Sequence, residues 1–260
     1  MTVVMVMLCY TLQLYFDFSG YCDMAMGTSK MFNIDLPINF NSPYKALTIT
    51  EFWKRWHITL TRFLTKYVYI PLGGNQKGSK RTYLNILIVF ALSGLWHGTG
   101  WTFLIWGLMH GLLQIVERMF PKTFRNLHPV LSWIITFGFI NVAWIFFRAN
   151  TVSQAVEIVI QIARMSFTSL NDKVIELFNL PELVWISRNI LPIDALVHYP
   201  YLFCFIFLFM GFIGILGCSN SYEKVIKFTP NFRKAILISI LMVWCIFSFS
   251  GVSTFIYWEF

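Results

Sequence analysis

Two histidines set among tryptophans are the residues in this sequence best equipped to do chemistry. His97 sits in Ser93-Gly94-Leu95-Trp96-His97-Gly98-Thr99-Gly100-Trp101, within a run from Thr82 to Val116 that has no Asp, Glu, Lys or Arg. An imidazole at membrane depth is costly unless it faces a cavity or a bundle interior, so His97 is expected to mark a functional site. His57 lies in Phe52-Trp53-Lys54-Arg55-Trp56-His57-Ile58 and projects from the apolar side of that segment. Two carboxylates, Asp17 and Asp23, bracket Phe18-Ser19-Gly20-Tyr21-Cys22. In lipid they must be paired or hydrated, and a structural polar network is the favoured reading over paired acid/base catalysis. His110, four residues after Trp106, is expected to be a hydrogen-bonded core histidine. Cys9, Cys22, Cys204, Cys218 and Cys245 show no CxxC spacing and no Cys/His cluster, so neither a disulfide framework nor a metal site is indicated.

The elements that must position these residues are membrane helices. Hydrophobic residues make up 57% of the 260 and charged residues only 12%, which excludes an ordinary soluble domain. Uncharged runs at Asn126 to Phe147, Ala195 to Tyr222 and Ala235 to Trp258 each exceed the roughly 20 residues a helix needs to cross the hydrocarbon core. The net charge of +8 sits in short clusters between apolar spans, around Lys77 to Arg81, Arg118 to Arg125 and Lys224 to Lys234. These read as topology determinants rather than as a nucleic-acid surface, and the positive-inside rule places them in the cytoplasm with Ala149 to His198 outside. The chain is therefore read as a single membrane-embedded domain over residues 1–260, an all-α polytopic protein of the cell (inner) membrane.

Locally, Met1 to Phe16 is expected to be a short apolar helix running into a broken, polar stretch from Asp17 to Asp23. Asn39 to Tyr44 reads as a loop. Thr48-Ile49-Thr50-Glu51 has capping-box spacing and opens one helix that Pro71 and Gly73-Gly74 close, with Trp53, His57, Leu60, Leu64 and Tyr67 sharing a face. Thr82 to Trp96 and Trp101 to Val116 are each about 24 Å long, marginal for a full crossing, with Gly94, Gly98 and Gly100 breaking the helix between them. Irregular backbone at that depth is tolerated beside a cavity, which puts His97 at the end of a polar tunnel or pocket. Ser153 to Met165 reads as an amphipathic outer helix with Val156, Val159, Ile160 and Ala163 on one side.

Five segments together resemble the membrane-bound O-acyltransferase (MBOAT) family. They are Tyr15-Phe16-Asp17-Phe18-Ser19-Gly20-Tyr21-Cys22-Asp23-Met24-Ala25, Asn39-Phe40-Asn41-Ser42-Pro43-Tyr44, Phe52 to Ile58, Tyr69-Ile70-Pro71-Leu72-Gly73-Gly74-Asn75 and Gly94-Leu95-Trp96-His97-Gly98. The subgroup they resemble is the alginate O-acetylase type, with other bacterial polysaccharide and peptidoglycan O-acetylation proteins. The motifs run in order from Tyr15 to Arg118; beyond Pro129 only hydropathy and the ending Thr254 to Phe260 support the resemblance.

That resemblance implies a partial MBOAT bundle with broken or re-entrant helices around a tunnel. His97 would be the catalytic residue and His57 the second active-site position; Trp96, Trp101, Arg55, Asp17 and Asp23 would bind substrate. No cofactor is bound. The acyl donor would be a cytoplasmic thioester, acetyl-CoA, and the acceptor a hydroxyl of an exported polysaccharide or of an extracytoplasmic, esterase-like acetyltransferase; Lys54, Arg55 and Arg62 could attract the donor's phosphates, although a topological role is the favoured reading for them. The lipid bilayer is the other partner. Family members usually carry about as much membrane sequence again before the Asp17 motif, so this chain is expected to lack the N-terminal helices, as a fragment, half of a split enzyme or a remnant. The competing functional classes are a transporter or proton-coupled channel and a noncatalytic scaffold.

Overall fold

The computed structural model describes residues 2–164, 174 and 200–248. They are helical and connecting segments, with no strand among the described residues. The chain divides into two compact units, one of Val3–Phe167 with Phe260 and one of Thr168–Glu259 with Met1–Thr2. The outer position expected for Ala149 to His198 and the ending Thr254 to Phe260 fall largely or wholly outside the described residues.

The first unit opens with α1 (Thr2–Met31), 30 residues without interruption. The expected break at Asp17 to Asp23 is absent. Ser, Gly and Asp weaken a helix by only about 1 kcal/mol or less each, too little to stop one carried by a long apolar run. A loop and a 3-10 turn (Pro43–Lys45) then lead to α2 (Ile49–Arg55) and α3 (Ile58–Leu64). Thr48 caps α2 as its spacing predicts, its hydroxyl accepting from Glu51 N at 3.0 Å. The expected single helix does not form, because His57 adopts left-handed φ 43° and ψ 53° and parts α2 from α3. Leu60 and Leu64 still line one cavity with Trp53 as expected, whereas His57 and Tyr67 do not. A π-type turn (Thr65–Tyr69) ends the segment.

Next comes an antiparallel pair, α4 (Gly78–His97) and α5 (Trp101–Met119). Both are longer than expected. Gly94 does not break α4; it brings two backbones together. A Cβ at Gly94 would lie 2.3 Å from the Phe103 carbonyl oxygen, and one at Gly107 would lie 2.2 Å from that of Phe90. The break is confined to Gly98–Gly100. After α6 (Pro121–Asn126), α7 (Pro129–Arg148) packs on α5, with Trp144 stacked on Trp106 at 5.8 Å. Thr151 caps α8 (Val152–Ala163). On α8 Ala155 is buried while Val156 and Ile160 are exposed, so the face turned inward differs from the expected one.

Polar ties join elements far apart in sequence. Thr11 donates to Asn141 Oδ1 at 2.7 Å, linking α1 to α7, and the Tyr44 hydroxyl donates to Thr11 O at 3.0 Å. Trp133 Nε1 donates to Tyr44 O at 2.9 Å and Thr136 Oγ1 to Leu47 O at 2.8 Å, so the loop before α2 is held between α1 and α7. Among the described residues two helices, α1 and α7, are long and apolar enough to cross a membrane. The second unit contains α9 (Pro200–Phe212), a π-type turn (Ile213–Gly217), α10 (Ser221–Ile226) capped by Asn220, and α11 (Phe232–Ser248). Most large apolar side chains of α11 are exposed.

Candidate active site

The break between α2 and α3 and the break after α4 bring the two histidines together. Trp96 lies between them: its ring centroid is 5.9 Å from His57 and 4.9 Å from His97. Both imidazoles are buried, whereas Trp96 is 61% exposed. His97 is held edge-on against Trp106 at 5.2 Å and Phe147 at 5.1 Å, so α5 and α7 fix the end of α4. Phe18 of α1 lies 4.9 Å from the His57 ring.

Left-handed backbone at a non-glycine residue costs roughly 1–2 kcal/mol. At His57 one asparagine holds it. Asn39 O accepts from Ile58 N at 3.0 Å, and Asn39 Oδ1 accepts from Thr59 N at 3.2 Å and Thr59 Oγ1 at 2.9 Å. The same Oδ1 lies 3.1 Å from His57 Nδ1. An amide oxygen only accepts, so Nδ1 carries the proton and the neutral ring keeps its lone pair on Nε2. Burial lowers the His57 pKa from its ordinary value and keeps the ring neutral at pH 7. Asn39 belongs to a stretch that reads as a loop in sequence; a polar residue shortly before a helix carrying a histidine was its only signal.

A cavity of about 350 Å³ lies between α2, α3 and the α4/α5 pair. Lys54, Asn75, Gln114 and Arg118 line it together with Trp53, Phe90 and Ser93, and Ser93 is one helical turn before His97. Arg118 is positioned by the Tyr69-to-Asn75 motif: Asn75 Oδ1 accepts from Arg118 NH1 at 2.9 Å and from the Tyr69 hydroxyl. Trp53 Nε1 donates to His110 Nδ1 at 3.2 Å, so His110 is the hydrogen-bonded core histidine expected. Glu117, which sequence reasoning passed over at the end of a long uncharged run, is buried and accepts from Ile49 N, Thr50 N and Thr50 Oγ1, clamping the start of α2 onto α5.

The other predicted binding residues are placed differently. Arg55 is engaged by Glu51 at 2.7 Å and by Asn41 O, and it is absent from the cavity lining. Trp101 is 73% exposed at the start of α5. Asp17 and Asp23 are half-buried on α1, either side of Phe18 and its contact with His57. Among the basic residues expected to meet donor phosphates, Lys54 lines the cavity and Arg62 is exposed, while Arg118, read from sequence as a topology signal, lines it too.

The sequence model of MBOAT, the membrane-bound O-acyltransferase family, matches residues 1–153. Over 158 residues the chain is 56% identical to a peptidoglycan O-acetyltransferase of Helicobacter pylori, covering 59% of this chain and 30% of that protein. It is 47% identical over 153 residues to a probable alginate O-acetylase of Azotobacter vinelandii, covering 57% and 30%. It is 31% identical over 146 residues to a teichoic acid D-alanyltransferase of Bacillus subtilis, covering 50% and 37%. The chain thus spans about a third of the length of these curated relatives. A match over more than half the sequence, on the segments that carry both histidines, makes the chain a member of the membrane-bound O-acyltransferase family.

Proposed function

We propose that this chain carries the catalytic histidines of a multi-pass cell-membrane O-acetyltransferase. It moves an acetyl group from cytoplasmic acetyl-CoA to a hydroxyl of an exported cell-envelope glycan, directly or through an extracytoplasmic relay protein. The observation that carries this reading is the buried pair His57 and His97, joined through Trp96, with a cavity reaching to within one helical turn of His97. The Helicobacter pylori relative favours a peptidoglycan acceptor, and the Azotobacter vinelandii relative favours an alginate-like one.

In this reading His97 is the general base. The acceptor oxygen bonds to the thioester carbonyl carbon, the carbon–sulfur bond breaks, and the hydroxyl proton passes to His97 and on to the leaving thiolate. Neutral His57 has its only N–H committed to Asn39, so it does not polarise the carbonyl by donation. Its role is to orient groups through its Nε2 lone pair. Lys54 and Arg118 at the cavity meet the donor's phosphates, in keeping with the place of Arg118 in a basic cluster read as cytoplasmic. The α4/α5 pair forms one wall of a tunnel between donor and acceptor sides.

The test is transfer from labelled acetyl-CoA in membranes containing the chain, alone and with the remaining helices of a full-length relative supplied in trans. Transfer lost in His97→Ala establishes the reading. Transfer unchanged in that variant refutes His97 as base, and solute flux without donor consumption replaces the enzyme with a transporter.

A further inference from the structure

Many helix-borne hydroxyls in this protein have an acceptor. Thr65 and Thr82 donate to the carbonyl four residues back, at 2.7 and 2.9 Å, and Ser29 donates three residues back at 2.9 Å, while Thr11, Thr50, Thr59 and Thr136 donate to other segments. Such back-bonding is the usual outlet for Ser and Thr within a helix. Ser93 does not follow it. Its Oγ is fully buried, the residue is 2% exposed, and the hydroxyl has no hydrogen-bond partner among the described residues. A buried hydroxyl left unpaired costs about 1–3 kcal/mol, so this one marks a place where a ligand atom belongs.

Ser93 lines the cavity of about 350 Å³. So does Thr61 of α3, whose Oγ1 is likewise buried and unpaired among the described residues. Two spare donors in one cavity suit a ligand carrying several carbonyl acceptors along a narrow arm, as a pantetheine thioester does. Four residues on a helix bring a side chain back to nearly the same face about 6 Å along the axis, which sets Ser93 one turn before His97, whose ring packs on Trp106 and Phe147. The glycine seam at Gly94 faces α5, which keeps that side of α4 against the partner helix and leaves the Ser93 face to the cavity.

We propose that the Ser93 hydroxyl is a transition-state hydrogen-bond donor for acyl transfer, holding the thioester carbonyl oxygen while His97 takes the acceptor's proton. This rests on the acyltransferase reading above. Ser93 keeps its own proton throughout: negative charge develops on the carbonyl oxygen as the acceptor oxygen bonds to carbon and returns as the carbon–sulfur bond breaks. Neutral His57 cannot supply this donor, because its one N–H is bound to Asn39. Removing a single oxyanion donor costs roughly 10²–10³ in kcat.

Kinetics of transfer from acetyl-CoA in membranes test this. Ser93→Ala is expected to lower kcat about 100-fold or more with KM little changed, and Ser93→Thr to restore much of the rate. A Ser93→Ala rate within threefold of the parent, where His97→Ala abolishes transfer, overturns the Ser93 role and leaves the function standing. Transfer that ignores His97→Ala brings down both. An acetyl group trapped covalently on Ser93, found by peptide mass spectrometry, would also overturn the proposal, since the residue would then be a nucleophile.

Discussion

Substituting Gly94 by alanine puts a methyl group where the chain has none to spare. The new Cβ would lie 2.3 Å from the Phe103 carbonyl oxygen and 3.0 Å from its carbon, whereas ordinary contact begins near 3.4 Å. The obstacle is backbone, which cannot rotate aside, so α4 and α5 must separate by about 1 Å. Overpacking of this kind destabilises by about 1–3 kcal/mol. The same displacement moves the end of α4, where His97 is held against Trp106 and Phe147. A misplacement of about 1 Å at reacting groups can cost about 10²-fold in rate. Gly94→Ala should therefore lower both thermal stability, read by tryptophan fluorescence in detergent, and acetyl transfer per folded molecule. Gly20→Ala is the matched control, because nothing lies within 4 Å of its added Cβ. Inside α1 it should stabilise by about 0.5–1 kcal/mol. If Gly94→Ala melts with the parent and transfers at the parental rate, the two backbones are not in contact and the α4/α5 geometry given above is wrong.

Asn39→Ala removes the side-chain acceptor shared by His57 and Thr59, and at about 1 kcal/mol per hydrogen bond it should cost about 2–3 kcal/mol in unfolding free energy. Transfer should fall more than stability explains, because the His57 ring loses its fixed tautomer; an unchanged rate in the folded fraction refutes that role. Glu117→Ala leaves Ile49 N, Thr50 N and Thr50 Oγ1 without their carboxylate and should cost about 3 kcal/mol, with limited proteolysis cutting first near α2. Unaltered cleavage there would show that α2 does not depend on Glu117. His57, neutral in the fold, also sets a pH trend. Its folded pKa is lowered, so below the ordinary value near 6.5 the unfolded chain binds a proton the folded one refuses. Stability should fall as pH drops through that range, by up to about 1.4 kcal/mol per pH unit. His57→Gln should lessen that slope by the His57 share, with His97 and His110, also buried, still present, and a wild-type slope equal to the variant's would show that His57 contributes nothing to it.

What sequence made legible was mostly local. The Thr48 cap needs only its own turn, and the core role of His110 follows from a histidine four residues after a tryptophan. Gly94 misled because a glycine that ends a helix and one that admits a neighbouring backbone look alike until the neighbour is known. The helix break at His57 was hidden for a related reason. Histidine is no helix terminator, and its left-handed backbone is enforced by Asn39, which lies 18 residues away. The meeting of His57 with His97 came from the resemblance to a family, since spacing alone cannot bring two distant turns together. On α1, apolar residues on every side outweighed the polar motif, so a stretch that looked broken is continuous.

The hydrogen bond from Thr11 to Asn141 spans 130 residues. At synthesis rates of about 5–20 residues per second, that separation is about 7–26 s of translation. During that interval α1 and the loop ahead of α2 lack the helix that fastens them, and His97 lacks Phe147. The histidine pair thus matures late, after α7 has left the ribosome and joined its neighbours. Until then the His97 ring lacks one of the walls that fix its angle, so assembly order sets when that imidazole becomes oriented.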